Sequence, residues 1–427
     1  MADHRYIRRV VRGVAHLCGN VPRTRRPDRI SGRGCHHGHG AVAAAGSGRR
    51  GINRHGAAQT RCMSELLHHI QAIIRDQGAV SLATYMGLAL GHPKHGYYQS
   101  QTPFGAVGDF ITAPEISQMF GELIGLWCVQ RWRDMDSPPA FMLCELGPGR
   151  GTLMADALRA ARLAPDFLNA ARVHLVETSR ALRECQKTVI GNAVTWHDTV
   201  AELPPLPALI IANEFFDALP IRQFQRTPDG WRERMVTINL DTEQLCFSLS
   251  PVPIREDAII PAAMRTAPVD AIAELCPAGQ GVIESLAAHL LEHGGAALIM
   301  DYGPAKSAAG DSFQAVRGHG YCDPLQNPGH ADLTAHVDFQ SLAEVAHGAG
   351  CQTDGPISQG QFLLQLGLAA RAQRLAQNAA PDEQDAIRSA FHRLTDADQM
   401  GQLFKAMALR HPALAPSPGF EVLLSGG

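Results

Sequence analysis

Lysine is scarce in this chain. Lys94, Lys187, Lys306 and Lys405 are the only lysines among 38 basic residues; the rest are arginine. That bias fits a high-GC bacterial coding sequence. No apolar run approaches the roughly 20 residues a membrane-spanning helix needs, so a membrane span is not expected. The 10 cysteines stand singly, with no C-x-x-C pair. This spacing excludes an obvious zinc site or disulfide framework and favours a reducing compartment. Acids are nearly absent from residues 1–62, which hold 13 arginines and only Asp3 and Asp28 as acids. The remainder has 25 basic and 39 acidic residues, and an acidic body argues against a nucleic-acid surface.

The first 62 residues also lack a hydrophobic period, and their Gly/Arg content builds no core. They read as a spurious extension upstream of Met63, or as an arginine-rich transit peptide. The cluster Cys35, His36, His37 and His39 looks metal-like but has no scaffold around it, and no metal is expected. Order is expected from Ser64, as the cap of a helix ended by Gly78, with Leu66, Leu67, Ile70, Ile73 and Ile74 on one face. A second helix follows from near Ser81. A third has Pro114 at its first position and Ile116, Phe120, Leu123, Ile124 and Trp127 at helical spacing. His92 and His95 lie in the loop between them, read as loop or packing residues.

What the chain does have is FMLCELGPGRGTLMADALR, residues 141–159. An apolar strand ends at Glu145; Gly147, Gly149 and Gly151 follow, then a helix. Such a bend turns sharply and leaves bare N–H groups facing a ligand. No Lys-Ser or Lys-Thr follows, so it is not an NTPase phosphate loop. Further strands each end in a polar residue: Glu177, placed to accept both ribose hydroxyls; Trp196 and Asp198, suited to an adenine ring and its amine; Asn213 and Glu214; and Asp301. Polar groups along the carboxyl edge of a doubly wound sheet mark a ligand site. An adenosyl ligand without a phosphate cradle points to S-adenosyl-L-methionine, with Glu145 or a loop carbonyl accepting from its ammonium.

CELGPGRGTLMADALR, IIANEFFDALPIRQF, HPKHGYY, GDFITAPEIS and DLTAHVDF together resemble the MidA family of S-adenosylmethionine-dependent methyltransferases, from about Met63 to the C-terminus. The resemblance implies an α/β class I methyltransferase fold: a Rossmann-like, seven-stranded, mostly parallel sheet with helices on both faces. It also implies a helical N-terminal cap and an insertion after the fourth strand, which the alternation in residues 222–260 marks as β-rich. The division expected is 1–62 extension, 63–137 cap, 138–370 core with an insertion at about 222–280, and 371–427 a helical segment packed on the core. Mitochondrial members of the family are protein arginine methyltransferases acting on a core subunit of respiratory complex I. The resemblance thus implies a protein substrate, no nucleic-acid partner, and Gly147, Gly149, Gly151 and Glu177 as cofactor residues, with Asp198 at the adenine end.

A guanidinium is a poor nucleophile, with its lone pairs delocalised and its pKa above about 12. Glu214 is the candidate to grip it, aided by Asn213; a helix-cap role is the plainer reading of Glu214. Asp217 reads equally as a turn acid. Phe215 and Phe216 are core or the wall of an acceptor channel. Asp109, Phe110 and Thr112 form a loop suited to closing the site. His336 is a conceivable base, but a turn with Asp338 as helix cap fits better. A scaffold that kept a cofactor pocket, or a methyltransferase for another amino group, remain the alternatives. The cell compartment expected is bacterial cytoplasm or, with a transit peptide, the mitochondrial matrix.

Overall fold

The computed structural model describes residues 54–100, 112–191, 193–255 and 259–421. Most of the N-terminal extension, including the Cys35/His cluster, and the loop residues Asp109 and Phe110 lie outside these.

Helix α1 (Arg54–Gln77) starts well before Ser64, so Ser64 lies within the helix and does not cap it. Gly78 ends it at φ +86°. Strand β1 (Val80–Ser81) leads into α2 (Leu82–Gly91), whose first turn is capped by the Ser81 side chain accepting the Thr84 N–H. The helix expected from Pro114 is two: α3 (Ala113–Ile116) and α4 (Gln118–Asp134). Ser117 is extended at φ −161°, and its hydroxyl accepts the Met119 N–H to start the second helix.

The core then alternates: β2 (Phe141–Leu146), α5 (Thr152–Ala160), β3 (Ala171–Val176), α6 (Arg180–Ile190), β4 (Val194–His197) and β5 (Ala208–Asn213). Strands β6 (Arg222–Thr227), β7 (Gly230–Ile238), β8 (Leu245–Leu249) and β9 (Ile272–Leu275) form the insertion. Helix α7 (Pro277–His293) returns the chain to β10 (Gly295–Tyr302). A second excursion makes a small sheet of β11 (Gln314–Arg317), β12 (Gly320–Cys322) and β13 (Asp332–Thr334), which the sequence did not announce. Then come α8 (Phe339–Ala349), with Asp338 as its N-cap, β14 (Gln352–Ser358), α9 (Gln359–Gln365), α10 (Leu368–Ala376), α11 (Pro381–Thr395) and β15 (Phe404–Arg410).

The main sheet has seven strands in the order β4-β3-β2-β5-β10-β15-β14. β15 runs antiparallel to both neighbours; β10, β5, β2, β3 and β4 are mutually parallel. Connections reverse direction between β2 and β5, and a crevice opens at the carboxyl ends of such a pair. The glycine bend and Asn213-Glu214 lie at those two ends.

Two corrections concern boundaries. FKAMALR, expected in a C-terminal helical segment, is β15, between β10 and β14, with Ala406, Met407, Ala408 and Leu409 fully buried. Its residues are good helix formers, and tertiary pairing on both sides overrides that preference. Helix α4, grouped with the cap by sequence, packs into the core cluster with Phe141, Leu153 and Phe167. The remaining cap joins the insertion: Val80 and Ser81 pair with Val236 and Met235 of β7. Leu66, Ile70, Tyr85 and Met86 share a cluster with Val236, Phe313 and Leu333. The cap, the insertion and the small sheet therefore make one lobe over the crevice.

Truncating Met407 to Ala removes a fully buried side chain from a central strand. It should cost about 2–5 kcal/mol in urea unfolding; a change below about 1 kcal/mol would contradict the placement of FKAMALR as an interior strand.

Candidate active site

β2 is buried along its whole length and delivers Glu145 to the crevice one residue before it ends. Glu145 is 3 % exposed, and its Oε2 has no hydrogen-bond partner. Burial pushes its pKa up to about 8, against a Met154 backbone N–H that lowers it. A buried carboxyl left with an unmet oxygen is costly unless a ligand supplies a donor. The bend follows with Gly147 at φ +60°, Gly149 at +52° and Gly151 at +86°. At Gly147 a Cβ would lie 2.9 Å from the Phe215 ring, and at Gly151 2.9 Å from Ile190 Cδ1. Backbone conformation and space both demand glycine there.

The cleft against this bend is lined by Glu145, Gly147, Gly149, Thr152, Asn213 and Glu214, with Thr112, Pro114 and Glu115 from the N-terminal segment closing it. Glu115 accepts a hydrogen bond from the Thr152 hydroxyl at 2.8 Å, so α3 is latched to the first turn of α5. Thr112 is the part of the expected closing loop that the structure describes, and it does line the cleft.

Glu177 stands just past β3, buried, its Oε1 accepting the Ser179 N–H at 2.7 Å. Burial raises its pKa, and the Ser179 N–H and Gln186 partly oppose the rise. Gln186, which sequence reading missed, connects the candidate cofactor residues. It is fully buried, and its Nε2 donates to Gly149 O at 2.7 Å and to Glu177 Oε2 at 3.3 Å. Its Oε1 accepts from Trp196 Nε1 at 2.8 Å. The available signal was its spacing: four residues after Leu182, it falls on the buried face of α6. Trp196 thus joins the bend through Gln186, and its ring packs against the core cluster containing Leu153 and Met154. Asp198 stands apart. Its side chain is 69 % exposed and pairs with Arg183, which also donates to Glu177 O.

Beyond β5, Glu214 adopts φ +50°, a left-handed conformation unusual for a residue with a Cβ. Its Oε1 accepts the Ala113 N–H at 3.1 Å and the Asn213 Nδ2 at 3.3 Å. No helix starts between β5 and β6, so it caps no following helix; the N–H it accepts from Ala113 belongs instead to the first residue of α3. Burial pushes its pKa up to about 7, helped by Asp217 and opposed by Ala113, Asn213 and Arg393. Glu214 and Thr112 also line a second cavity of about 240 Å³, so the carboxyl separates the two spaces. Asp301, at the end of β10, holds this turn. Its Oδ2 accepts the N–H groups of Phe215, Phe216 and Asp217 at 3.1, 2.9 and 3.3 Å. Phe216 is buried in the core, and Phe215 packs on Gly147. His336 is exposed and Asp338 caps α8, accepting the Ser341 N–H.

The cleft therefore fits an S-adenosyl nucleoside on its own terms: a bend only glycine can make, an orphaned buried carboxyl, and a strand-end acid tied to the bend. Replacing Gln186 with Leu unties the bend from Glu177 and Trp196. Its dissociation constant for S-adenosylhomocysteine, measured by calorimetry, should rise about tenfold; an unchanged constant would show the three-way tie to be irrelevant.

Comparison with known proteins agrees with this geometry. A family model described as "Putative S-adenosyl-L-methionine-dependent methyltransferase" matches residues 123–357. The mouse mitochondrial protein arginine methyltransferase NDUFAF7 is 36% identical over 379 residues, covering 82% of this chain and 86% of that one. The Drosophila melanogaster homologue is 36% identical over 378 residues, with the same coverage of 82% and 86%. A methyltransferase-like protein from Burkholderia thailandensis, crystallised with S-adenosyl-homocysteine, superposes with a TM-score of 0.76 at 26% identity, covering 87% of this chain and 98% of its own. The chain belongs to this family of class I methyltransferases, and S-adenosyl-L-methionine is its cofactor.

Proposed function

We propose that this enzyme methylates an arginine nitrogen of a protein, with Glu214 as the residue that grips the guanidinium. The observation that carries the reading is the position of Glu214, between the cofactor cleft and a cavity with acidic and tyrosine walls. The Glu145 carboxyl and the glycine bend, with Glu177 behind them, hold the cofactor. When bound, S-adenosyl-L-methionine supplies an electrophilic methyl on its sulfonium. The chain's own task is then to present a nitrogen to it in line and at short range. A carboxylate at Glu214 orients a guanidinium through paired hydrogen bonds and keeps its positive charge in a buried site. Asn213 steadies Glu214 through its amide, and its Oδ1, buried without a partner, is an acceptor for a substrate N–H.

The names of the curated relatives support the arginine reading and a mitochondrial location over the bacterial cytoplasm. The family resemblance suggests a subunit of respiratory complex I as the substrate protein. The described residues contain no helix long and apolar enough to cross a membrane. For residues 1–62, the mitochondrial relatives favour the transit-peptide reading, and Asp198 acts at the adenine end only if its pair with Arg183 opens.

Replacing Glu214 with Gln keeps the shape and removes the charge. Methyl transfer to protein, followed with radiolabelled cofactor, should fall about 10²-fold or more while S-adenosylhomocysteine still binds. Activity within a few-fold of wild type would rule out the grip. The pH profile follows from the same group. Only the ionised form grips a cation, and burial places the Glu214 pKa at about 7. The kcat/KM of the free enzyme should therefore be flat above about pH 7.5 and fall as pH drops through 7 and below, as the carboxylate takes up a proton. A profile flat down to about pH 5 would mean that no such group acts.

A further inference from the structure

The second cavity holds more unmet polarity than a single grip by Glu214 uses. Asp217 lies three residues further along the same turn, is 6 % exposed and lines that cavity. Its backbone is fixed at both ends: the N–H donates to Asp301, and the C=O accepts the Ala335 N–H at 3.0 Å. Of its carboxyl, Oδ1 is buried with no hydrogen-bond partner. Tyr302 stands beside it and, with the amides of Asp217 and Ala218, pulls its pKa down; burial outweighs them and pushes it up to about 6. The Tyr302 hydroxyl, 7 % exposed, also lacks a partner of good geometry. Across the cavity the Tyr98 hydroxyl donates to Asp332 at 3.0 Å. Arg393 lines the same space and its charge lowers the Glu214 pKa, but it forms no ion pair with Glu214 or Asp217.

A buried carboxyl with an open oxygen and no cation costs stability that the fold recovers only if a ligand fills the gap. A lysine ammonium is a compact point charge with three donors, and one carboxylate with a few carbonyls satisfies it. A guanidinium is planar and carries five N–H donors in a fixed fork. It needs acceptors on more than one edge. We propose that Asp217 is the second carboxylate of an acceptor clamp: Glu214 holds the guanidinium on the cofactor side, Asp217 Oδ1 receives its far edge, and the pair selects arginine over lysine. This rests on the arginine reading above and assigns its specificity to a particular oxygen.

The test uses the full chain loaded with S-adenosylhomocysteine, with N-acetylarginine amide and N-acetyllysine amide as probes in calorimetry. Wild type should bind the arginine probe and discriminate against the lysine probe. Asp217→Asn should weaken the arginine probe at least about tenfold. It should leave the lysine probe and S-adenosylhomocysteine affinity unchanged and the melting temperature no lower than that of wild type. Undiminished arginine binding in this variant overturns the clamp and leaves the arginine reading standing. A uniform loss across cofactor product and both probes marks Asp217 as merely structural and also overturns it. If wild type binds S-adenosylhomocysteine but not the arginine probe, the arginine reading fails, and the clamp with it. Should Asp217→Asn not fold, a crystal structure of wild type with both ligands decides. A guanidinium nitrogen within hydrogen-bond distance of Asp217 Oδ1 supports the clamp, and contact with Glu214 alone refutes it.

Discussion

The turn that carries Glu214 and Asp217 depends on the Asp301 carboxyl. It is fully buried at the end of β10 and receives four backbone N–H groups: Phe215, Phe216 and Asp217 on one oxygen, Tyr302 on the other. A left-handed backbone at a residue with a Cβ costs on the order of 1–2 kcal/mol. Hydrogen bonds contribute about 0.5–1.5 kcal/mol each, so four of them together can hold Glu214 at φ +50°. The anchor also fixes sequence to function across a long gap. Residue 301 follows the insertion, yet it shapes the turn that precedes it. Without Asp301, the turn after Glu214 loses three of its backbone hydrogen bonds, the Asp217 amide contact among them.

The second constraint is the assembly of the upper lobe. Its core is shared by cap helices α1 and α2, the insertion and the small sheet, so none of the three is an independent addition. The segment leaving that lobe enters the crevice at Thr112–Glu115, where the Ala113 N–H meets Glu214 and Glu115 meets Thr152. One short stretch therefore touches both the acceptor carboxyl and the helix that carries the glycine bend.

Much of this was legible in the sequence, and the failures have causes. The parallel strands announced themselves as apolar runs ending in polar residues, and the glycine bend could be read because left-handed backbone and close packing leave few alternatives. Glu145, Asn213 and Glu214 were visible as strand-end polar groups, and the structure brings all three to one cleft. FKAMALR was not legible: its residues favour helix, and only a partner on each side makes it a strand. Gln186 was hidden because a polar residue in an amphipathic helix normally faces solvent, and its burial follows from where α6 packs. Asp198 looked equivalent to Glu177 by position, but Arg183 captures it at the surface. The small sheet of β11–β13 is made of strands too short to carry a period, so Tyr302 and Asp332 could not be assigned to one cavity in advance.

Charge balance at the acceptor side distinguishes a catalyst from a scaffold that has kept a cofactor pocket. Burial, with Asp217 and Glu214 as like charges nearby, raises the Asp301 pKa well above the ordinary carboxylate range. The three carboxyls cannot all be ionised cheaply in one buried turn. A chain that only bound the cofactor would gain nothing from this arrangement. Glu145 and Glu177 are the carboxyls placed at the candidate cofactor end of the crevice, and apolar residues would pack the turn at lower cost. A neutral acceptor leaves the repulsion in place. On the proposed arginine reading, a cationic acceptor relieves it, drawing a second carboxyl into its charged form as it enters, so that the electrostatic strain of the free protein becomes affinity for a positively charged side chain.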